Sequence, residues 1–531
     1  MNFIAAVCKK SCTFAPSISS ISSLRHHTSA CMNSLSRKLP TASLYLLALA
    51  LFASLACKEM LTRGMFADGL VYTSIAINYA EDDVPFWQPR FTATVNGNPP
   101  PVRGVAQSDQ PYYTQTTGET FYAHPPLMMY LLSLWVRLVG SGDVAVKGYS
   151  ILVMLLTALL MVRLWNRLGF GFSTGWLPLL LWTLIPPVTH YAFYNMLEPT
   201  MLLFILASVL CLLREGRRLW LWHLLAGLFL FLSFLTKEFT GLFPLAFPAV
   251  LWVARLREHG FGRMLALTAA VFAGFLVPCL LLALCSPAAW DFFQHYLSIQ
   301  ILGQAMGSSA TSRFAIVGHF FLHTGIVWGI VVLAAVIAVL RKRTDWLPLI
   351  RHRRKASAMF MLALCGVLPL MVSAKQSDYF LLTAFPFFAL AAAILLEPFA
   401  TRALKRPNAP AVASLAALVA VVAAVVLNAI FAGRPGRNVT IQEDMDLITP
   451  HLARGEVVTA PQQMFDSHFV LTLSGYYFID RRVSLDSLNV HPHLVTTSSA
   501  GLGRFAHLSD ASYRLVDLPT SEFQLYELIE E

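Results

Sequence analysis

From residue 41 to residue 432 the chain alternates between long apolar runs and short polar ones. Runs near the ~20 residues needed to cross a bilayer core fall at 41–57, 148–164, 174–191, 197–213, 219–236, 239–254, 264–285, 319–340, 357–374, 378–396 and 411–432. Each predicts a membrane helix, and together they predict eleven. The stretch 127–138 is apolar but short and contains Arg137, so it predicts an interfacial or re-entrant helix. One long polar stretch, 58–126, breaks the series after the first run. It is rich in Thr, Gln, Gly and Pro and carries Glu81, Asp82, Asp83, Asp109 and Glu119. Unpaired backbone groups are too costly in hydrocarbon. This stretch is therefore expected outside the bilayer, as the roof over a site.

Both ends differ from this pattern. Residues 1–40 are Ser-rich with scattered Arg, Lys and His, and are expected to form a disordered tail. In residues 433–531 the charges return, with strand-like runs such as Glu456–Thr459 and Tyr513–Val516 beside a helix-like run, Ile441–Ala453. That pattern predicts a small α/β domain. The expected architecture is an all-α polytopic membrane domain over 41–432 with this small domain appended. No internal repeat is visible, nor the matched interrupted helices of an inverted-repeat transporter.

Composition and charge sharpen this reading. Of 531 residues, 56% are hydrophobic and only 13% charged, against about 25% charged in soluble domains. The net charge of +10 would suit nucleic acid if the basic residues formed a patch. They lie instead in short loops: Arg163 and Arg167; Arg214, Arg217 and Arg218; Arg255, Arg257 and Arg263; Arg341 to Lys355; Arg402, Lys405 and Arg406. The alternate loops hold little beyond Lys237, Arg313 and Lys375. The positive-inside rule then predicts a multi-pass protein of the plasma (inner) membrane with its N-terminus inside. The 58–126 stretch, the 286–318 loop and the C-terminus would be extracytoplasmic. None of the eight cysteines falls in those outer parts, so no disulfide framework is expected there. No Cys/His spacing suggests a metal cage.

The outer face carries a few isolated charges near apolar helix ends: Asp68, Glu198, Lys237 with Glu238, and Lys375. Singly, each reads equally well as an interfacial residue in water. Converging on one face, two acids and two lysines suggest an anionic ligand and a reaction that needs a carboxylate, because such groups are costly at a membrane unless paired or used. Asp82 and Asp83 read as solvated loop charges. His190, Tyr191 and Tyr194 could line a cavity or belong to an aromatic belt. Asn438-Val439-Thr440 matches an N-glycosylation acceptor.

Several of these residues sit in recognisable motifs. Asp68-Gly69-x-x-Tyr72-x-x-x-Ala76 resembles the acidic motif after the first helix of polyprenyl- or dolichyl-phosphate-sugar-dependent glycosyltransferases. His124-Pro125-Pro126-Leu127 resembles their Lys-Pro-Pro-Leu element. Asn195–Thr200 resembles the segment bearing a second acid, and Thr236-Lys237-Glu238-x-x-Gly241 their Ser-Lys-Gly element. Lys375-x-x-x-Tyr379 with Phe385-Pro386 resembles a late Lys…Tyr…Pro element. Together these motifs, in order over about 41–400, are similar to the protein O-mannosyltransferase-like group, which includes the transferase adding aminoarabinose to lipid A. Departures are visible: Gly69 where the family often has Glu, His124 for Lys, and Glu198 for Asp. In the 286–318 loop, His295, Gln300, Gln304 and Arg313 only loosely match the family's His and Arg.

The resemblance implies a GT-C fold with its active site on the outer face. It implies transfer of a sugar from a polyprenyl phosphate to a protein, lipid A or another envelope glycan by a single inverting displacement. Asp68 would be the base and Glu198 a catalytic helper. Lys237, Lys375, Tyr379, His124 and Arg313 would hold the donor phosphate. A divalent cation, if used, would sit at Asp68. A lipid-linked sugar flippase or transporter, or a non-catalytic assembly subunit on the same fold, are the alternatives.

Overall fold

In the computed structural model the described residues are 41–82, 84–90, 116–117, 120–298, 312–340, 347–373, 376–460, 483–486, 489–497 and 513–529. The chain is a multi-pass helical membrane protein. Among the described residues seven segments are long and apolar enough to cross a membrane: Val144–Arg167, Leu219–Val253, Phe261–Cys285, Ala315–Leu340, His352–Val372, Phe385–Leu404 and Ala409–Phe431. Three shorter apolar helices accompany them, Thr41–Leu55 (α1), Leu127–Val139 and Leu197–Leu212. The difference from eleven lies in length and breakage. The expected 174–191 run is split into the helices Trp176–Thr183 and Pro186–Tyr191, with Pro186 and Pro187 opening the second.

The 219–253 segment is also interrupted. Helix Leu219–Lys237 ends where Glu238 takes φ 46°, and a 3₁₀ stretch, Glu238–Ala246, follows. The chain folds back here: a Cβ at Gly241 would lie 2.0 Å from Ser233 Oγ, so only glycine permits this approach. This reversal sets Lys237 and Glu238 at the turn between two apolar legs.

The 58–126 stretch, expected to form a roof, is not a simple loop. It opens with helix α2, Ala67–Glu81, in which every residue from Gly69 to Tyr79 is buried. It packs on α3, Leu127–Val139. Polar bonds fix its end: Arg137 donates to the Tyr79 carbonyl at 2.8 Å, and Asn78 Nδ2 to the Arg90 carbonyl at 2.9 Å. The polar composition of 58–126 concealed this helix, because its Thr73, Ser74 and Asn78 are buried as well.

Hydrocarbon-facing surface is recognisable on α4, our label for Ala409–Phe431. Leu415, Leu418, Val419, Val422 and Val425 are exposed, while Ala413, Ala417, Ala424 and Asn428 are buried. Such an apolar outer stripe is unfavourable in water and favourable in lipid. Asn428 Nδ2 donates to the Ala53 carbonyl at 2.9 Å and ties α4 to α1.

Residues beyond α4 have their own apolar core, built on Ile441, Met445, Ile448, Val458, Val495, Phe523 and Leu525. Helix α5, Val439–Ile448, lies beside a five-stranded mixed sheet of β1 Val457–Thr459, β2 Ser484–Asp486, β3 His493–Thr497, β4 Tyr513–Leu515 and β5 Phe523–Leu528. The strand order is β2-β1-β3-β5-β4, with the first three strands parallel and the other pairs antiparallel. Asp444, 2% exposed, accepts from the backbone N–H groups of Ser521, Glu522 and Phe523 at 2.7–2.9 Å. Three such bonds satisfy a buried carboxylate without a cation.

This unit is fastened to the start of the roof. Arg63 forks onto Asp446 at 2.7 and 2.6 Å, and its backbone bonds Arg434 and Gly436. Arg454 reaches Glu81 at 2.9 Å.

Candidate active site

Asp68 lies in the first turn of α2 and is partly exposed. A carboxylate there is favoured by the helix's positive end. Its neighbour Gly69 has no room for a side chain: a Cβ would lie 1.8 Å from the carbonyl oxygen of Tyr194. The second acid of the related motif therefore has no place here, for a steric reason. Tyr194 is held there by Asn195, whose φ of 50° is tolerated best by Asn among side-chain-bearing residues. Asn195 is 1% exposed; it accepts from Ser150 Oγ at 2.6 Å and donates to Thr73 Oγ1 at 3.1 Å. One side chain thus joins α2, the Val144–Arg167 span and the segment leading to Glu198.

Tyr379 crosses to this corner from the 3₁₀ turn Asp378–Thr383. Its hydroxyl donates to Asp68 Oδ2 at 3.1 Å. Burial, then the charges of Asp68 and Glu198, push its phenol far above the usual value, so it stays a donor. The Tyr72 phenol, 3% exposed on α2, is raised for the same reasons.

Lys237 lies beneath Tyr379. Its Nζ is 5.3 Å from the Tyr379 ring centroid and 4.5 Å from that of Phe380, a cation–π arrangement. The same Nζ donates to Glu198 Oε1, and both residues are buried. Glu198 Oε2 is buried without a hydrogen-bond partner among the described residues. At the residue after Lys237, Glu238 Oε1 is paired with His124 Nδ1, and the His124 ring lies edge-on to Tyr72 at 5.8 Å.

Five of the expected site residues, Asp68, Glu198, Lys237, Tyr379 and His124, are therefore linked through Tyr72, Tyr379 and Glu238. Two are not placed with them. Lys375 lies outside the described residues, as do Gln300 and Gln304. Arg313 is exposed at the entrance to the Ala315–Leu340 span, where its carbonyl accepts from Gln376 Nε2 at 3.0 Å. His295, on the helix Pro287–Tyr296, stacks on Tyr122 at 4.6 Å. Lys237 and His124, both expected at a donor phosphate, each face a carboxylate in the structure, Glu198 and Glu238.

Some neighbours had weak sequence signals or none. Glu238, next to Lys237 in the sequence, gains its place only through its pairing with His124. Asp378 is met by His319 at 2.6 Å and His323 at 3.1 Å; the His-x-x-x-His spacing was a readable signal, since i and i+4 share a helix face. Phe66, Tyr191 and Tyr379 pack ring against ring at 5.5–5.9 Å.

With one carboxylate at Asp68 and none at Gly69, the corner does not fit a carboxylate cage for a divalent cation. Among the described residues no group of three His, Cys, Asp or Glu is spaced to hold a metal.

Known proteins share this arrangement of helices. ArnT from Cupriavidus metallidurans, in its apo crystal structure, superimposes with a TM-score of 0.58 over 91% of this chain and 96% of that one, at 16% identity. The same protein bound to undecaprenyl phosphate gives 0.60, covering 91% of this chain and 97% of that one, at 15% identity. This is the GT-C fold. The family model for dolichyl-phosphate-mannose-protein mannosyltransferase matches residues 123–290, which contain His124, Glu198 and Lys237 but neither Asp68 nor Tyr379. No curated protein sequence matches the chain. The GT-C architecture and the family match agree with the resemblance carried by the motifs.

Proposed function

We propose that the chain is a membrane glycosyltransferase that moves a sugar from a polyprenyl phosphate onto an extracytoplasmic acceptor. The observation that supports the reading is the Asp68–Tyr379–Lys237–Glu198 cluster, which begins at the first turn of α2. It sets an available carboxylate beside a donor hydroxyl and a buried cation. A flippase would bind the same head group without needing such a base.

In the proposed step the acceptor hydroxyl oxygen attacks the anomeric carbon. Its proton passes to Asp68. The bond from the anomeric carbon to the phosphate oxygen breaks, and its electron pair leaves with the lipid phosphate, giving inversion. Tyr379, kept protonated, holds Asp68 in place. Lys237 supplies positive potential from below, tempered by Glu198. Sugar and acceptor follow from substrates, with protein, lipid A and other envelope glycans as the candidate acceptors.

Asp68→Asn tests this. It preserves size and can still bond Tyr379, so folding and membrane insertion should survive. Removal of a general base costs about 10²–10⁴-fold in rate. Transfer from a polyprenyl-phosphate sugar, measured at matched folded amounts, should fall by that factor; near-normal turnover would remove Asp68 as the base.

A further inference from the structure

The proposed step leaves the His124–Glu238 pair unused. Glu238 follows Lys237 at the fold-back of the 219–253 segment, with φ 46° and ψ −144°. Glycine adopts that region freely, whereas a residue with a Cβ is strained there. The turn itself does not require glutamate. The Glu238 N–H donates to the Phe234 carbonyl, Thr240 Oγ1 donates to the Lys237 carbonyl at 2.9 Å, and Gly241 closes on Ser233. These contacts use no atom of the Glu238 side chain. A carboxylate is therefore kept in a strained backbone position for what the carboxylate does.

What it does is hold His124. Glu238 is 8% exposed, and its Oε1 meets His124 Nδ1. Pro125 follows His124 and favours an extended backbone before it. Tyr72 of α2 meets the His124 ring edge-on at 5.8 Å, and Phe121 lies tilted against it at 6.3 Å. With Nδ1 donating to Glu238, the tautomer and the ring plane are set, and Nε2 is the working nitrogen. Nε2 has no partner among the described residues, and the His124 side chain is 21% exposed. Tyr72 stands one helical turn after Asp68 on the same face of α2. The imidazole thus joins the site of the proposed base from its other side.

The remaining groups around the pair do not compete for the carboxylate. Lys237 is engaged by Glu198. Tyr72 and Tyr296, the latter closing the helix Pro287–Tyr296, are buried phenols. Burial, then the Glu238 charge, pushes the Tyr296 phenol well above its usual value, so it stays protonated. An imidazolium set between a carboxylate and a phosphate is a charge-assisted donor to both. We infer that His124 is the catalytic residue that hands a proton from Nε2 to the departing lipid phosphate, and that Glu238 is the positioning residue that aims it. The inference rests on the glycosyltransferase reading and deepens it. As the bond from the anomeric carbon to the phosphate oxygen breaks, the electron pair stays with the phosphate, which takes the Nε2 proton. The imidazole is left neutral, its Nδ1 proton still donated to Glu238. Asp68 holds the acceptor's proton, so the net transfer is one proton from acceptor to phosphate, and water resets both groups.

The test measures undecaprenyl phosphate binding to the purified full chain in nanodiscs, from about pH 5.5 to about pH 8, where a histidine changes charge. Wild-type affinity should fall as pH rises through this window. The ionisation of the lipid phosphate is common to all variants, so the difference from wild type is what counts. At the acid end, His124→Gln and Glu238→Gly should each weaken binding by roughly tenfold to a hundredfold, the span of a lost charge-assisted contact. Both should flatten the pH dependence. The double variant should lose no more than either single one, because the two residues act as a unit. Glu238→Gly relieves the strained φ, so its thermal transition should lie at or above that of Glu238→Gln. A purely structural pair would lower the thermal transition in His124→Gln and leave the pH dependence of binding intact, which overturns the inference. Additive losses in the double variant overturn it too, as does a Glu238→Gly protein without a thermal transition, which would mean that the turn needs its glutamate. Wild type that binds undecaprenyl phosphate beside variants of equal affinity and pH dependence sinks this inference alone. Wild type that does not bind undecaprenyl phosphate removes the glycosyltransferase reading with it.

Discussion

Glu198 holds Lys237 in a buried ion pair beneath the rings of Tyr379 and Phe380. The side chains are 1% and 6% exposed, so each charge depends on the other. Removing one partner of such a pair costs about 3–5 kcal/mol, whereas replacing both is far milder. Glu198→Gln and Lys237→Met should each lower stability by that amount. The double variant should lose much less than the sum. Thermal unfolding of the four proteins in detergent checks this, and additive losses would mean the residues do not interact.

Gly69 makes a second prediction. Gly69→Ala sets a methyl group against the Tyr194 carbonyl, 1.8 Å away without movement. Overpacking of this kind costs about 1–3 kcal/mol. Gly69→Glu restores the acid pair common in the related motif, yet should be worse than Gly69→Ala in both stability and transfer. Enhanced activity in Gly69→Glu would show that the Tyr194 segment moves aside.

Tyr379 predicts the alkaline side of the pH profile. Burial and the nearby carboxylates raise its phenol above the ordinary value of 10.0. Since the raised group keeps its proton, no activity should be lost through its ionisation as pH climbs toward 10. Wild type and Tyr379→Phe should show alkaline limbs of the same shape, with the variant slower throughout. A limb near pH 9 that disappears in Tyr379→Phe would contradict the buried position.

Orientation gives the fourth prediction. A reporter fused after Glu531 should be extracytoplasmic and one after Lys355 cytoplasmic, following the alternation of basic loops. A cytoplasmic C-terminus would separate Arg437 from Asp68 by the bilayer, against the packing of Arg437 on Phe66.

The sequence by itself determined the membrane class and the appended α/β unit, and it named five residues that the fold brings into one candidate site. These are local properties. Hydropathy over ~20 residues reports partition into lipid, loop charge reports orientation, and the short motifs carry Asp68, His124, Glu198, Lys237 and Tyr379. Tertiary structure decided everything that depends on which residue faces which. Asp68 and Tyr379 are 311 residues apart in the chain, and no local pattern states that they meet. The buried α2 was hidden because its polar side chains are satisfied by distant partners, as Thr73 is by Asn195. The pairing of Lys237 with Glu198 and of His124 with Glu238 depends on carboxylates brought in by folding. So does the exclusion of a second acid at Gly69, which is set by a carbonyl from Tyr194. The packing of Arg437 on Phe66 carried no signal either, because it depends on a connector that folds back over that ring.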